Sequence, residues 1–222
     1  MQNISFKLGY KYLRSNKGGL FSFTSLLAVI GMMIGLASLI VVTSVMNGFE
    51  KELENRILGV IPHATISSNK PIDNFEDIVA DINLDNEIIK SSPYIEINAL
   101  ISSDYKSAGI SLIGIDPIIE NEMSIIPTNM LVGDIFDLDE KNTIIIGSLL
   151  AANLGSYIGD TITITTSDIR STLIGSYPRS INLKIIGIFE LRTEIDQYLT
   201  LISHSTAQKL KLLNANQTES IR

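Results

Sequence analysis

The 222-residue chain sets 17 Lys and Arg against 24 Asp and Glu, a formal charge of −7, with 45% apolar residues and neither Cys nor Trp. Without Cys there is no disulfide framework and no thiolate metal site, and the acidic balance excludes electrostatic binding of nucleic acid. The length allows one or two domains with a real core besides any membrane segment.

Residues 1–17 form a basic head. Ile4, Leu8 and Tyr12 recur at four-residue spacing with Lys7, Lys11 and Arg14 on other faces, the pattern of a short amphipathic helix lying at a membrane surface. A disordered basic tail is the alternative. Gly18-Gly19 then turns the chain into the membrane.

Residues 18–46 read as a transmembrane helix. No charge occurs from Gly18 through Phe49, well beyond the roughly 20 apolar residues a helix needs to span the hydrocarbon. A cleaved signal peptide has an apolar run of about 7–15 residues and a small-residue cleavage site; this run is longer and continues into TSVMNGFEKEL without such a site. Lys7, Lys11, Arg14 and Lys17 precede it with no acidic residue before Glu50, so the N-terminus is assigned to the cytoplasm and the bulk of the chain to the periplasm. The remaining 13 basic residues against 24 acidic give that bulk a charge of −11.

Inside the span Ser25, Ala28, Gly31, Gly35 and Ser38 recur at steps of three or four. They mark a helical face on which another helix can pack closely. Residues 47–61 continue as a helical periplasmic stalk: Val45, Phe49, Leu53 and Ile57 make an apolar stripe, Glu52 and Arg56 stand at i, i+4, and Gly59 with Pro62 supplies the stop. Met46, Phe49, Leu53 and Ile57 are apolar where lipid acyl chains could be held; packing on the chain's own ectodomain or on a sister helix would use the same stripe.

Beyond the stalk the chain reads as α+β. In residues 62–117 HATISS is a strand, NFEDIVADIN an amphipathic helix with Phe75, Ile78, Val79 and Ile82 inward, and YIEINALISS and SAGISLIGI are strands, a β-α-β-β unit that Asp116-Pro117 ends. Residues 118–222 form a second α+β block: a helical segment near Asn121 to Ile125, a strand from Thr143, the helix SLLAANL stopped by Gly155, strands TITITT, INLKIIGIF and QYLTLIS, and the helix STAQKLKLL.

One connection is long. Residues 167–180, SDIRSTLIGSYPRS, join two strands over a length uncommon for a loop without its own structure. Arg170 and Arg179 flank Leu173, Ile174, Tyr177 and Pro178, which reads as a protruding arm with apolar anchors and two cations for a partner protein, or as a plain hairpin tip.

Catalytic chemistry finds little support. The two histidines, His63 and His204, are far apart in sequence, no cluster has metal spacing, and no phosphate-binding loop occurs. No cofactor is expected, and the chain reads as a non-enzyme.

The stretch FTSLLAVIGMMIGLASLIVVTSVMNGFEKELENRILGVIPHATI resembles the first transmembrane helix and stalk of the lipoprotein-releasing ABC transporter permeases of the LolC/LolE type, most specifically in MNGFEKEL and NRILGVIPH. LIGIDP, IIIGSLLAANLGSYIGDTITI and INLKIIGIFELRTEIDQY resemble the periplasmic domain these permeases share with MacB-type exporters. The resemblance implies a MacB-like periplasmic domain and a non-catalytic inner-membrane subunit working with a second permease subunit and separate ATPase subunits. It implies release of lipoproteins to a LolA-type periplasmic carrier, with Met46, Phe49 and Leu53 bordering the acyl-chain cavity and the arm around Arg170 to Ser180 placed as a carrier-binding hook. Family members continue into three further transmembrane helices, so the chain is expected to be a partial permease with an incomplete periplasmic domain, its first β-α-β-β unit lacking its other half and leaving sheet edges unpaired. A MacB-like or FtsX-like permease and a single-span periplasmic binding or scaffold protein are the alternatives.

Overall fold

The structure is a computed structural model that describes residues 4, 7, 8, 11, 23–53, 59–85, 87–139, 142–172 and 175–222. It divides into two compact units, residues 1–52 and 53–222.

In the first unit Ile4, Lys7, Leu8 and Lys11 are helical and exposed, and the rest of the expected head lies outside the described residues. Helix α1, Phe23–Leu53, runs unbroken for 31 residues. Its segment Ser25–Glu52 is long and apolar enough to cross a membrane, and none of its most apolar window is buried against the rest of the chain. The hydroxyl of Thr43 donates to the Leu39 carbonyl one turn back, so it needs no partner from outside the helix. The helix continues past Met46 to Leu53; the rest of the expected stalk, with Arg56, Ile57 and the stop before Gly59, lies outside the described residues.

In the second unit the strands are β1 (Ile66–Asp73), β2 (Pro93–Ser102), β3 (Ser107–Ile115), β4 (Met130–Val132), β5 (Thr143–Gly147), β6 (Thr161–Thr172), β7 (Gly175–Phe189), β8 (Leu199–Ser203) and β9 (Gln217–Ile221). The helices are α2 (Phe75–Ile82), α3 (Pro117–Met123), α4 (Ser148–Leu154) and α5 (His204–Lys211). Strand order is β1-β9-β2-β3-β8-β5-β7-β4, and β6 pairs with both β2 and β7. Strands β2, β3, β8, β5, β7 and β6 therefore close into a ring, which removes the free edges that β2 and β7 would otherwise present.

Alternation along the strands sorts side chains onto two faces. Ile144 and Ile146 of β5 join Ile97, Leu112, Ile164 and Leu183 in one core that α4 and α5 cover through Leu150, Leu154, Ala207 and Leu210. Ile145, between them, points the other way, toward Ile113, Ile115, Phe189 and Leu201. Helix α4 ends where Gly155 takes the left-handed conformation (φ 66°) that a branched residue resists.

Three expectations change. The helix placed near Asn121 to Ile125 is α3, which starts earlier because the Asp116 carboxylate accepts from the Ile118 and Ile119 amides (2.9 and 3.4 Å) and Pro117 occupies the first helical position. The division at 117/118 is not a division of the sheet: β3 runs parallel to β8, and β2 pairs with β6 and β9. Of the edges expected to stay unpaired, those of β2 and β3 are filled, since β8 lies beside β3 and β9 beside β2, while β1 stays at the end of the sheet with β9 as its one neighbour among the described strands. The first β-α-β-β unit thus meets its counterpart in β8, α5 and β9.

Candidate functional site

Two places carry the residues singled out from sequence. On α1, Ala28, Gly31, Gly35 and Ser38 are exposed and Ser25 is half-buried. A methyl group at Gly31 or Gly35 would meet nothing within 4 Å. Among the described residues the small-residue face is open. Met46 and Phe49 follow on the same helix, 64% and 59% exposed. They lie one turn apart where the charge-free stretch gives way to Glu50, Lys51 and Glu52. Leu53 is the last residue of the helix, and Ile57 lies outside the described residues.

The second place is the arm, and it is not a loop. Strands β6 and β7 continue through residues 167–180 as one antiparallel hairpin, pairing Arg170 with Tyr177, Ser171 with Ser176 and Thr172 with Gly175. Leu173 and Ile174 lie outside the described residues. The last pairing of β6 with the body of the sheet is Ala99 with Thr166. Immediately beyond it the β6–β7 register shifts: Ser167, Asp168 and Ile169 stand opposite the single residue Pro178. Proline has no N–H to give to a ladder, so it is tolerated where the ladder is interrupted. Among the described residues, the hairpin beyond this bulge pairs only with itself.

The two arginines of the arm part company. Arg170 belongs to the hairpin proper. Arg179 stands at its base opposite Thr166, and its guanidinium is engaged: Nη1 donates to the carbonyls of Lys209 (2.8 Å) and Leu210 (3.3 Å) in the last turn of α5. It is therefore not a free cation awaiting a partner.

Among the described residues no group of three His, Asp or Glu side chains is arranged for a metal. His204, the first residue of α5, packs edge-on to Phe75 with ring centres 5.2 Å apart and shares a 3.2 Å hydrogen bond with the Thr218 hydroxyl. Burial pulls its pKa down to about 4, against a weaker opposing pull from Asp116. Tyr94 is pushed above the usual phenol range by burial and then by Glu96, to which its hydroxyl donates at 3.2 Å. Both side chains are part of the fold's interior.

Sequence reasoning missed one hollow. A cavity of about 390 Å³ opens between the segment that follows the stalk and the loop after α2, walled by Val60, Ile61, Ile66, Ile88, Ile89 and Met123. The loop residues around Ile88 show neither helical nor strand periodicity, so nothing in the sequence marked them as a wall.

Residues 25–221 match the family model described as the MacB-like periplasmic core domain. The lipoprotein-releasing system transmembrane protein LolC of Xylella fastidiosa is 31% identical over 211 residues, covering 93% of this chain and 51% of that protein. LolC of Neisseria meningitidis serogroup B is 30% identical over 211 residues, with the same coverage of 93% and 51%. LolE of Haemophilus influenzae is 26% identical over 225 residues, covering 99% of this chain and 54% of that protein. The chain spans about half the length of the curated relatives it matches. Because this model matches residues 25–221, most of the chain, the chain belongs to the family of MacB-like periplasmic core domains, with its sequence likeness toward the LolC and LolE proteins.

Proposed function

We propose that the chain is the N-terminal part of a non-catalytic permease subunit of an ABC transporter that releases lipoproteins from the inner membrane to a periplasmic carrier. The observation that carries this reading is the likeness to proteins named for a lipoprotein-releasing system, which extends over 93% of the chain. The open helical faces support it. Ala28, Gly31, Gly35 and Ser38 offer a close approach to a second permease subunit, and Met46 and Phe49 offer apolar surface to acyl chains and membrane lipid. The N-terminus is cytoplasmic, the second unit is periplasmic, and ATP hydrolysis belongs to separate ATPase subunits.

In the same reading the hairpin carrying Arg170 and Tyr177, with Leu173, Ile174 and Pro178, is the carrier-binding arm. A two-stranded ribbon continuing past its last sheet partner offers main-chain groups to a partner strand.

Photo-crosslinking amino acids at Phe49 and Tyr177 of the full chain, expressed in inner-membrane vesicles with its ATPase and permease partners, test the reading. Phe49 is expected to capture an acylated lipoprotein and Tyr177 a soluble periplasmic carrier. Equal capture of a lipoprotein lacking its acyl chains, or no capture at either position, would overturn it in favour of a binding or scaffold protein.

A further inference from the structure

We infer that Arg179 is a positioning residue that ties the base of the arm to helix α5, so that the arm's direction is set by the C-terminal end of that helix and not by a partner's contact with Arg179. The last four carbonyls of a helix have no partner within it. In α5 the Gln208 carbonyl is taken by the Leu212 and Leu213 amides that close the helix. The next two, Lys209 and Leu210, receive the Arg179 guanidinium. A cation at this end also meets the negative pole of the helix.

The tie sits where the arm needs one. Arg179 pairs with Thr166, the last residue of β6 held by β2, and the register shift begins at the next position. A bulge frees a strand to bend. Without an anchor beside it, the distal ribbon has nothing in the sheet to choose one direction over another. Arg179 supplies that anchor from a helix whose own end is fixed: Gln208 donates to the Ala215 and Gln217 carbonyls (3.0 and 2.8 Å), and Lys211 pairs with Glu219 at 2.9 Å. The hairpin base, α5 and β9 are thereby joined side chain to main chain.

The functional half of this inference rests on the arm being the carrier-contacting element; the anchoring half does not. Because the chain has no cysteine, nitroxide labels at Ser176→Cys and Asn214→Cys in the full chain report the distance between hairpin and helix end. The native chain should give one narrow distance. Arg179→Gln should broaden it, and Arg179→Lys, which keeps a cation within reach of the same carbonyls, should keep it narrow. Leu212, left-handed at φ 59°, offers a control: Leu212→Gly secures the helix end by itself, so Arg179→Gln with Leu212→Gly should still show the broadened distance. An unchanged distance in Arg179→Gln, or full recovery by Leu212→Gly, overturns the anchor. Capture of a carrier at Tyr177 should fall in Arg179→Gln and return in Arg179→Lys; capture that stays at the native level while the distance broadens overturns the positioning role. A native chain that captures no carrier overturns the proposed function, while the distance measurement still decides the anchor.

Discussion

Glu120 of α3 and Arg222 form an ion pair whose side chains are only 2% and 6% exposed, with the guanidinium 5.5 Å from the centre of the Tyr94 ring. The main chains of Arg222 and Ser92 also exchange two hydrogen bonds of 2.9 Å. Removing one partner leaves a buried charge alone, which costs about 3–5 kcal/mol, whereas replacing both by apolar groups is often neutral or better. Glu120→Ala should therefore lower the unfolding free energy of the second unit, measured by urea titration, by that much, and Glu120→Leu with Arg222→Met should recover most of the loss.

Gly114 on β3 and Ala207 on α5 meet with no room between them. A methyl group at Gly114 would stand 2.3 Å from the Ala207 Cβ, an atom with no rotamer to give way. Gly114→Ala should destabilise by roughly 1–3 kcal/mol through overpacking. Adding Ala207→Gly should relieve the clash while adding about 1 kcal/mol of helix cost; denaturant titration of the two single variants and the double variant measures the coupling.

Acid should weaken the fold through His204. Its folded pKa of about 4 lies below the unfolded value of 6.5. Between those values the unfolded chain binds a proton that the folded one refuses. The contribution is complete above pH 6.5 and is lost as pH falls toward 4, up to about 3 kcal/mol at 1.36 kcal/mol per pH unit. The stability–pH curve of His204→Gln should lose that slope; an identical slope would place the acid sensitivity elsewhere.

On α1, Gly31→Leu and Gly35→Leu should leave the thermal unfolding of the second unit unchanged, because a Cβ at either position meets nothing within 4 Å among the described residues. The same substitutions should reduce co-purification of a partner permease subunit. Unchanged co-purification would remove the small-residue face from that interface.

Much of this architecture was legible in the residues. SAGISLIGI and SLLAANL match β3 and α4 at both ends, because alternation and a left-handed glycine stop are local signals. Strand β9 was not legible. QTESI has one aliphatic residue, and the positions it buries are mainly hydroxyls: Thr218 and Ser220 both turn inward to the Tyr94 carbonyl. A strand whose interior face is held by hydrogen bonds shows no apolar period. The arm misled for a different reason. Its Ser, Gly and Pro residues read as loop punctuation, yet Pro178 falls in the bulge and Gly175 at the hairpin turn, the two places where a ribbon accepts them. Arg179 was found as a cation, but only the fold shows that α5 has already claimed it.

The position of β9 also bears on how the chain is made. Strand β1 leaves the ribosome early, and its one neighbour among the described strands, β9, emerges only after β2 to β8 have been made. Until Ile221 emerges to sit between Ile66 and Pro93, both β1 and the near end of β2 must wait with main-chain groups unmatched. Such long-range pairing slows folding and exposes edges in the interval. Its Lys70-Pro71 pair, on an otherwise open strand, is the kind of sequence that discourages a wrong strand from docking first.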